Sequence, residues 1–197
     1  MAKRTINDFK GQLVGGGARP NLFSVALTFP TAVGSQTISN SVAAGQKIEF
    51  LGKSAALPAS NITPIEVPFR GRVLKVAGER TFDTWSITVV NDVDFVIRTA
   101  FEEWMNGIND LNEATGETRP AEYDCDLQVQ QLNRAGEVIR AYDFVGCFPT
   151  NVSQIDLSMD TTDTIEEYSV EFQILYWRAI KADVKSPVAY TTPAIST

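Results

Sequence analysis

The chain has 197 residues, of which 44% are apolar, 21% charged and 10% aromatic. That length suits one globular domain with or without arms, and the proportions exclude a disordered or low-complexity chain. The formal charge is −7 and histidine is absent, which removes the commonest general base, the commonest metal ligand and every Ser-His or Cys-His nucleophile pair.

Residues 1–19 read as an N-terminal arm. Lys3 and Arg4 are followed by polar residues rather than an apolar run, and no window approaches 18 consecutive apolar residues. We therefore expect no secretory signal, no membrane span and a cytoplasmic, reducing setting. Asn61 and Asn151 then match the glycosylation pattern by chance, and Cys125 and Cys147 are expected as free thiols. Gly15, Gly16 and Gly17 lack the Gly-Lys-Ser/Thr of a phosphate loop, so a flexible linker is expected.

Residues 20–177 read as a single domain. Phe23, Val25, Leu27 and Phe29 alternate with small polar residues, as in a half-buried strand. Residues 30–46 show too little apolar periodicity for a helix and read as an extended insertion loop or loose hairpin. Strands are expected from Ile48 and Phe50, at Ile65 and Val67, and from Val73 to Val76. Ala77 to Arg80 reads as a turn, and Thr81 to Val90 as a strand with Trp85, Ile87 and Val89 on one side and Ser86 and Thr88 on the other.

Asn91 or Asp92 is expected to cap an amphipathic helix running from Val93 and ending near Gly107, whose core stripe holds Val96, Ile97, Ala100, Phe101 and Trp104. Strands follow at Cys125–Leu132, Val138–Val145, Val152–Met159 and Glu167–Trp177, the first two joined by a turn at Asn133–Gly136. Residues 178–197 read as a C-terminal tail. The fold class is mainly β: an antiparallel barrel or sandwich of about eight strands with one flanking helix.

Charge is unevenly spread. Residues 1–98 hold 11 Lys/Arg against 7 Asp/Glu, residues 99–177 hold 3 against 16, and residues 178–197 hold 3 against 1. Opposite surfaces of this kind can pair between copies head to tail, or leave a merely acidic, soluble surface. Several strands also present a polar face nearly free of Lys and Arg: Ser24 and Thr28; Ser86 and Thr88; Asp126, Gln128 and Gln130; Ser169, Glu171 and Gln173. Ordinary solvent faces mix both signs.

No constellation rises to catalysis or cofactor binding. The acidic run Met159–Glu167 lacks calcium-loop spacing and reads as a solvated turn rather than a metal site. Glu102/Glu103 and Glu122/Asp124 are assigned to surfaces, since sequence spacing does not define a hydrolase cleft. Arg70, Arg72, Lys75 and Arg80 have no interleaved aromatics, so they read as contacts between subunits rather than with phosphate.

The phrases ARPNLFSVALTF, FLGKSAALP, VAGERTFDTWSITVVND, RPAEY and CFPTNVSQIDLSMDTTDTIEEYSVEFQILYW, in this order, carry a resemblance. From Ala18 to Trp177 the chain resembles the tail tube family of contractile-tailed, T-even-type bacteriophages, departing from it at residues 30–46 and after Trp177. The resemblance implies a structural, non-enzymatic subunit that forms six-membered rings, stacked into the inner tube of a virion tail assembled in the host cytoplasm. It implies sheath, baseplate and tail-terminator partners, with tape-measure protein and DNA in a lumen lined by strands of all subunits.

Duplex DNA carries about one charge per 1.7 Å, so a lysine-lined lumen would hold it through counterion release, whereas a polar, neutral-to-acidic lining lets it slide. Ser86, Thr88, Gln128, Gln130, Glu171 and Gln173 are the expected lumen positions. A tube of a related injection machine, a monomeric β-barrel binding module and a carboxylate-dependent hydrolase are the competing readings.

Overall fold

The computed structural model describes residues 5–13 and 17–181. In chain order these form α1 (Ile6–Gln12), β1 (Phe23–Leu27), β2 (Ala32–Val33), β3 (Gln36–Thr37), α2 (Ser41–Leu51), β4 (Gly52–Ala55), β5 (Asn61–Phe69) and β6 (Arg72–Thr81). Then come β7 (Trp85–Val90), α3 (Val96–Ile108), α4 (Pro120–Tyr123), β8 (Cys125–Leu132), β9 (Val138–Val152), β10 (Glu167–Gln173) and β11 (Tyr176–Lys181). The tail expected from residue 178 begins instead as the end of β11, and its residues after Lys181 lie outside the described residues.

Seven strands make one antiparallel sheet in the order β1-β8-β9-β10-β7-β4, with β11 also paired to β9. The sheet is barrel-like: Cα atoms of its edge strands β1 and β4 come within 8 Å. Residues from all around it, among them Val25, Val129, Phe144, Phe172 and Ile87, share one apolar core. Alternation builds that core directly, since Trp85, Ile87 and Val89 are buried while Ser86 is exposed.

Helix α3 closes the core. Ile97, Ala100, Phe101 and Trp104 are fully buried, and Val96 packs beside them. Phe101 meets Phe29 at 4.7 Å and Phe172 at 5.7 Å between ring centroids, and the Trp104 indole donates to the Tyr123 carbonyl at 2.9 Å. The N-terminus of α3 differs from the expected one. Phe95 is the cap, in the left-handed region at φ 53°, and Val93 is exposed outside the helix. Asn91 and Asp92 are drawn away by other partners, Asn91 to Glu166 and Asp92 to Lys47.

Three further expectations are corrected. The segment 30–46 holds a short hairpin, β2–β3, as expected, but it ends in the start of α2, which also covers the expected strand at Ile48 and Phe50. The buried stripe of α2 is only Ser41, Ala44 and Ile48, two small residues and one large, so its helical period is faint in sequence. Gly45 fits close against the Leu27 carbonyl, 2.8 Å from where a Cβ would stand.

The long strand expected at Glu167–Trp177 is two, broken at Ile174 and Leu175, where β9 itself turns at Gly146, φ 63°. Finally, β9 absorbs the expected strand start at Val152, and residues 153–159 form no strand.

Candidate assembly surfaces

The register places the expected lumen residues on the face of the sheet that points away from the core. Ser86 pairs with Glu171, and Thr88 with Ser169 and Ser54. Gln173 stands opposite Phe148, and on the other side of β9, Ser24 stands beside Gln130 and Ala26 beside Gln128. The sheet is curled, so this outer face has two halves. Ser86, Thr88, Glu171 and Gln173 occupy the β7–β10 half, and Gln128 and Gln130 the β8 half.

The β8 half is internally tied rather than open. Gln130 donates to Gln128 and is itself buried, at 9% exposure, between Ser24 and Ala141. Gln128 in turn donates to Asp143, which also accepts from Arg178 at 3.2 Å. The outer face is therefore not free of cations, and among the described residues Arg178 is matched by Asp143 and Lys53 by Glu167 at 2.5 Å.

A second surface is the β5–β6 ribbon, which pairs only with itself. It gathers Arg70, Arg72, Lys75 and Arg80 on one projecting hairpin. Its turn is Arg70-Gly71, both at positive φ (45° and 79°), so the turn expected at Ala77–Arg80 lies inside β6 instead. Gly78 serves close approach, not turning: a Cβ there would collide with the Thr63 carbonyl oxygen, at the bulge between Ile62 and Pro64.

The ribbon has two unlike faces. The pairs Ile65–Val76 and Val67–Leu74, with Phe69 beyond them, form an apolar face that is exposed throughout. On the other face Lys75 pairs with Glu66 at 3.3 Å. The signal for this face was present in the sequence as period-two apolar residues on both sides of Arg70-Gly71. The glycine two-thirds of the way along β6 obscured it.

A third surface is the loop from Ser153 to Glu166 between β9 and β10. Leu157, Met159 and Ile165 are exposed on it among Asp156, Asp160 and Asp163. At the opposite end of the chain, α1 has a capping box between Thr5 and Asp8 and buries none of its residues. Among the described residues no group of three His, Cys, Asp or Glu side chains converges on a metal position.

Titratable groups reflect local bonding. The Glu117 carboxylate accepts from the Arg119 side chain and backbone, which brings its pKa down to about 2. Cys125 and Cys147 face each other across β8 and β9 as free thiols. Burial pushes Cys147 up to about 12 and Cys125 further still, so both are protonated at neutral pH.

Residues 18–180 match the family model described as phage tail tube protein. The chain belongs to the phage tail tube family. It is 36% identical over 162 residues to tail tube protein gp19 of Enterobacteria phage T4, covering 81% of this chain and 90% of that protein. It is also 26% identical over 178 residues to the tail tube protein of Serratia phage KSP90, covering 89% and 96% respectively.

Its fold resembles a chain of the sheath–tube complex of an extracellular contractile injection system, with TM-score 0.57, 17% identity and coverage of 87% and 97%. A chain of the anti-feeding prophage cap gives TM-score 0.54 at 21% identity, covering 84% and 92%. At such identities these likenesses speak to fold. The function of the chain is that of its family, a structural subunit of a phage tail tube.

Proposed function

We propose that the chain assembles as six-membered rings stacked into the inner tube of a contractile tail, with genomic DNA and the tape-measure protein in its lumen. The observation that carries this reading is the β5–β6 ribbon. An isolated two-stranded hairpin is marginal in water, yet this one exposes Ile65, Val67, Phe69, Leu74 and Val76 on one face. A neighbouring copy supplies the missing cover, and Arg70, Arg72, Lys75 and Arg80 on the same ribbon meet acidic surface there.

Of the two halves of the outer sheet face, the β7–β10 half faces the lumen. Ser86, Thr88, Glu171 and Gln173 give it a neutral-to-acidic lining, whereas Gln128 and Gln130 are engaged within the subunit. Sheath, baseplate and terminator proteins bind the completed tube, which forms in the host cytoplasm and performs no catalysis.

The sequence relatives favour a phage tail over a related injection machine, because the 36% identity is to a phage protein. Electron microscopy of the purified chain tests the reading: rings or hollow tubes support it, and featureless monomers at high concentration would sink it.

A further inference from the structure

The arm carrying α1 precedes residues 18–180, the part that matches the family model. Its helix is encoded locally by the Thr5–Asp8 capping box. Ile6, Phe9 and Leu13, at steps of three and four, line one side and are all exposed. Seven residues of helix do not hold together in water on propensity alone. Residues 1–19 hold four Lys/Arg (Lys3, Arg4, Lys10, Arg19) against one acid, Asp8.

The 154–165 loop has the opposite chemistry. It carries Asp156, Asp160 and Asp163 with no Lys or Arg, and none of these aspartates is in a salt bridge among the described residues. Leu157 and Met159 are 80% and 101% exposed. A net-basic arm with an apolar helix and an acidic loop with apolar residues are complementary, and both are left exposed among the described residues.

The two surfaces lie at opposite ends of β9. The arm is rooted where Gln131 donates to the Arg19 and Leu22 carbonyls, beside the Leu132–Val138 pair that starts β9. The loop leaves from Val152, the end of β9, after fourteen steps of strand, about 46 Å of contour. From Arg19 the chain reaches Leu13 in about 20 Å at most, and Phe9 lies about 6 Å further along the helix. The placement at opposite ends of β9 suits a head-to-tail contact that propagates through stacked copies.

We propose that α1 of one copy docks, through Ile6, Phe9 and Leu13, on the acidic 154–165 loop of a second copy, head to tail. This rests on the tube reading above. Hydrogen exchange of the full chain, dilute and assembled, tests it. Residues 5–13 and 154–165 should both gain about tenfold protection on assembly. Phe9→Ser, and separately Met159→Ser, should each raise the critical concentration for assembly about tenfold, and the double variant should be no worse than the weaker single.

Additive losses, an arm left unprotected in assembled tubes, protection already complete in dilute monomer, or protection that appears only when sheath protein is added would each overturn the docking. Tubes with an unprotected arm refute this contact alone. A wild-type chain that never assembles refutes the tube reading along with it.

Discussion

Gly78 and the Thr63 carbonyl approach each other across the ribbon so closely that no side chain fits between them. Gly78→Ala therefore forces the base of the hairpin apart. The ribbon makes no contribution to the apolar core, so thermal unfolding of the domain should shift by no more than a few degrees while assembly is lost. Calorimetry alongside sedimentation checks both halves of this expectation, and a variant that still polymerises with unchanged critical concentration contradicts it.

Replacing core aromatics has the opposite signature. Trp104→Ala leaves a large cavity beside Phe29, Phe101 and Phe172 and strips the Tyr123 carbonyl of its indole donor. A loss of about 3–5 kcal/mol is expected in denaturant unfolding of the monomer. A loss below about 1 kcal/mol would mean that α3 does not close the core as described.

Glu117 supplies a pH test. Its folded pKa of about 2 lies below the ordinary value of 4.5, so its contribution to stability is present above pH 4.5 and disappears as the pH falls through about 2. Its partner Arg119 is 70% exposed, so solvent screening keeps the effect on stability small and the carboxyl titration itself is the better readout. Carbon-detected NMR should find this carboxyl titrating near 2, and Arg119→Ala should return it toward 4.5. An unmoved titration in that variant would remove Arg119 as the cause.

Much of this architecture is readable in the chain because large residues carry its periods. Phe23 to Phe29, Trp85 to Val90 and Cys125 to Leu132 alternate cleanly, and the stripe of α3 is built from Ile97, Phe101 and Trp104. Helix α2 escapes because Ala44 and Ser41 fill its contact with β1, where the close approach at Gly45 excludes bulk. Leu157 and Met159 alternate like a strand, but strands exist by pairing, and no strand among the described residues pairs with them. Gly78 imitates a turn because glycine answers both a need for positive φ and a need for proximity. The lumen candidates share one face in the sequence pattern, while the curvature that separates Gln128 from Ser86 arises only from long-range pairing.

The lumen assignment predicts how charge alters DNA passage. Ser86→Lys with Thr88→Lys places two cations on the β7–β10 half, more than the Glu171 opposite Ser86 can match, without touching the core. Assembled tubes of this variant should retain duplex DNA at low salt and release it as salt rises, by counterion exchange. The same lysines at Gln128 and Gln130 should have no such effect on retention. Equal retention from both pairs would refute the assignment.

Screening tests the charge asymmetry more broadly. Raising the ionic strength from about 0.1 M to 1 M shortens the Debye length from about 10 Å to about 3 Å. If the basic ribbon and arm meet acidic surface on neighbours, the critical concentration should rise over that range. Assembly indifferent to salt would assign the contacts to apolar burial alone.

Strand β9 is bonded to β8 on one flank and to β11 and then β10 on the other, along fifteen residues. Pulling along such a strand loads its hydrogen bonds in shear, so that they must fail together rather than peel one at a time. With the arm rooted at one end and the acidic loop leaving the other, tension passing from copy to copy would run down this strand. The proposed contact would therefore load the subunit where its hydrogen bonds resist together rather than one by one.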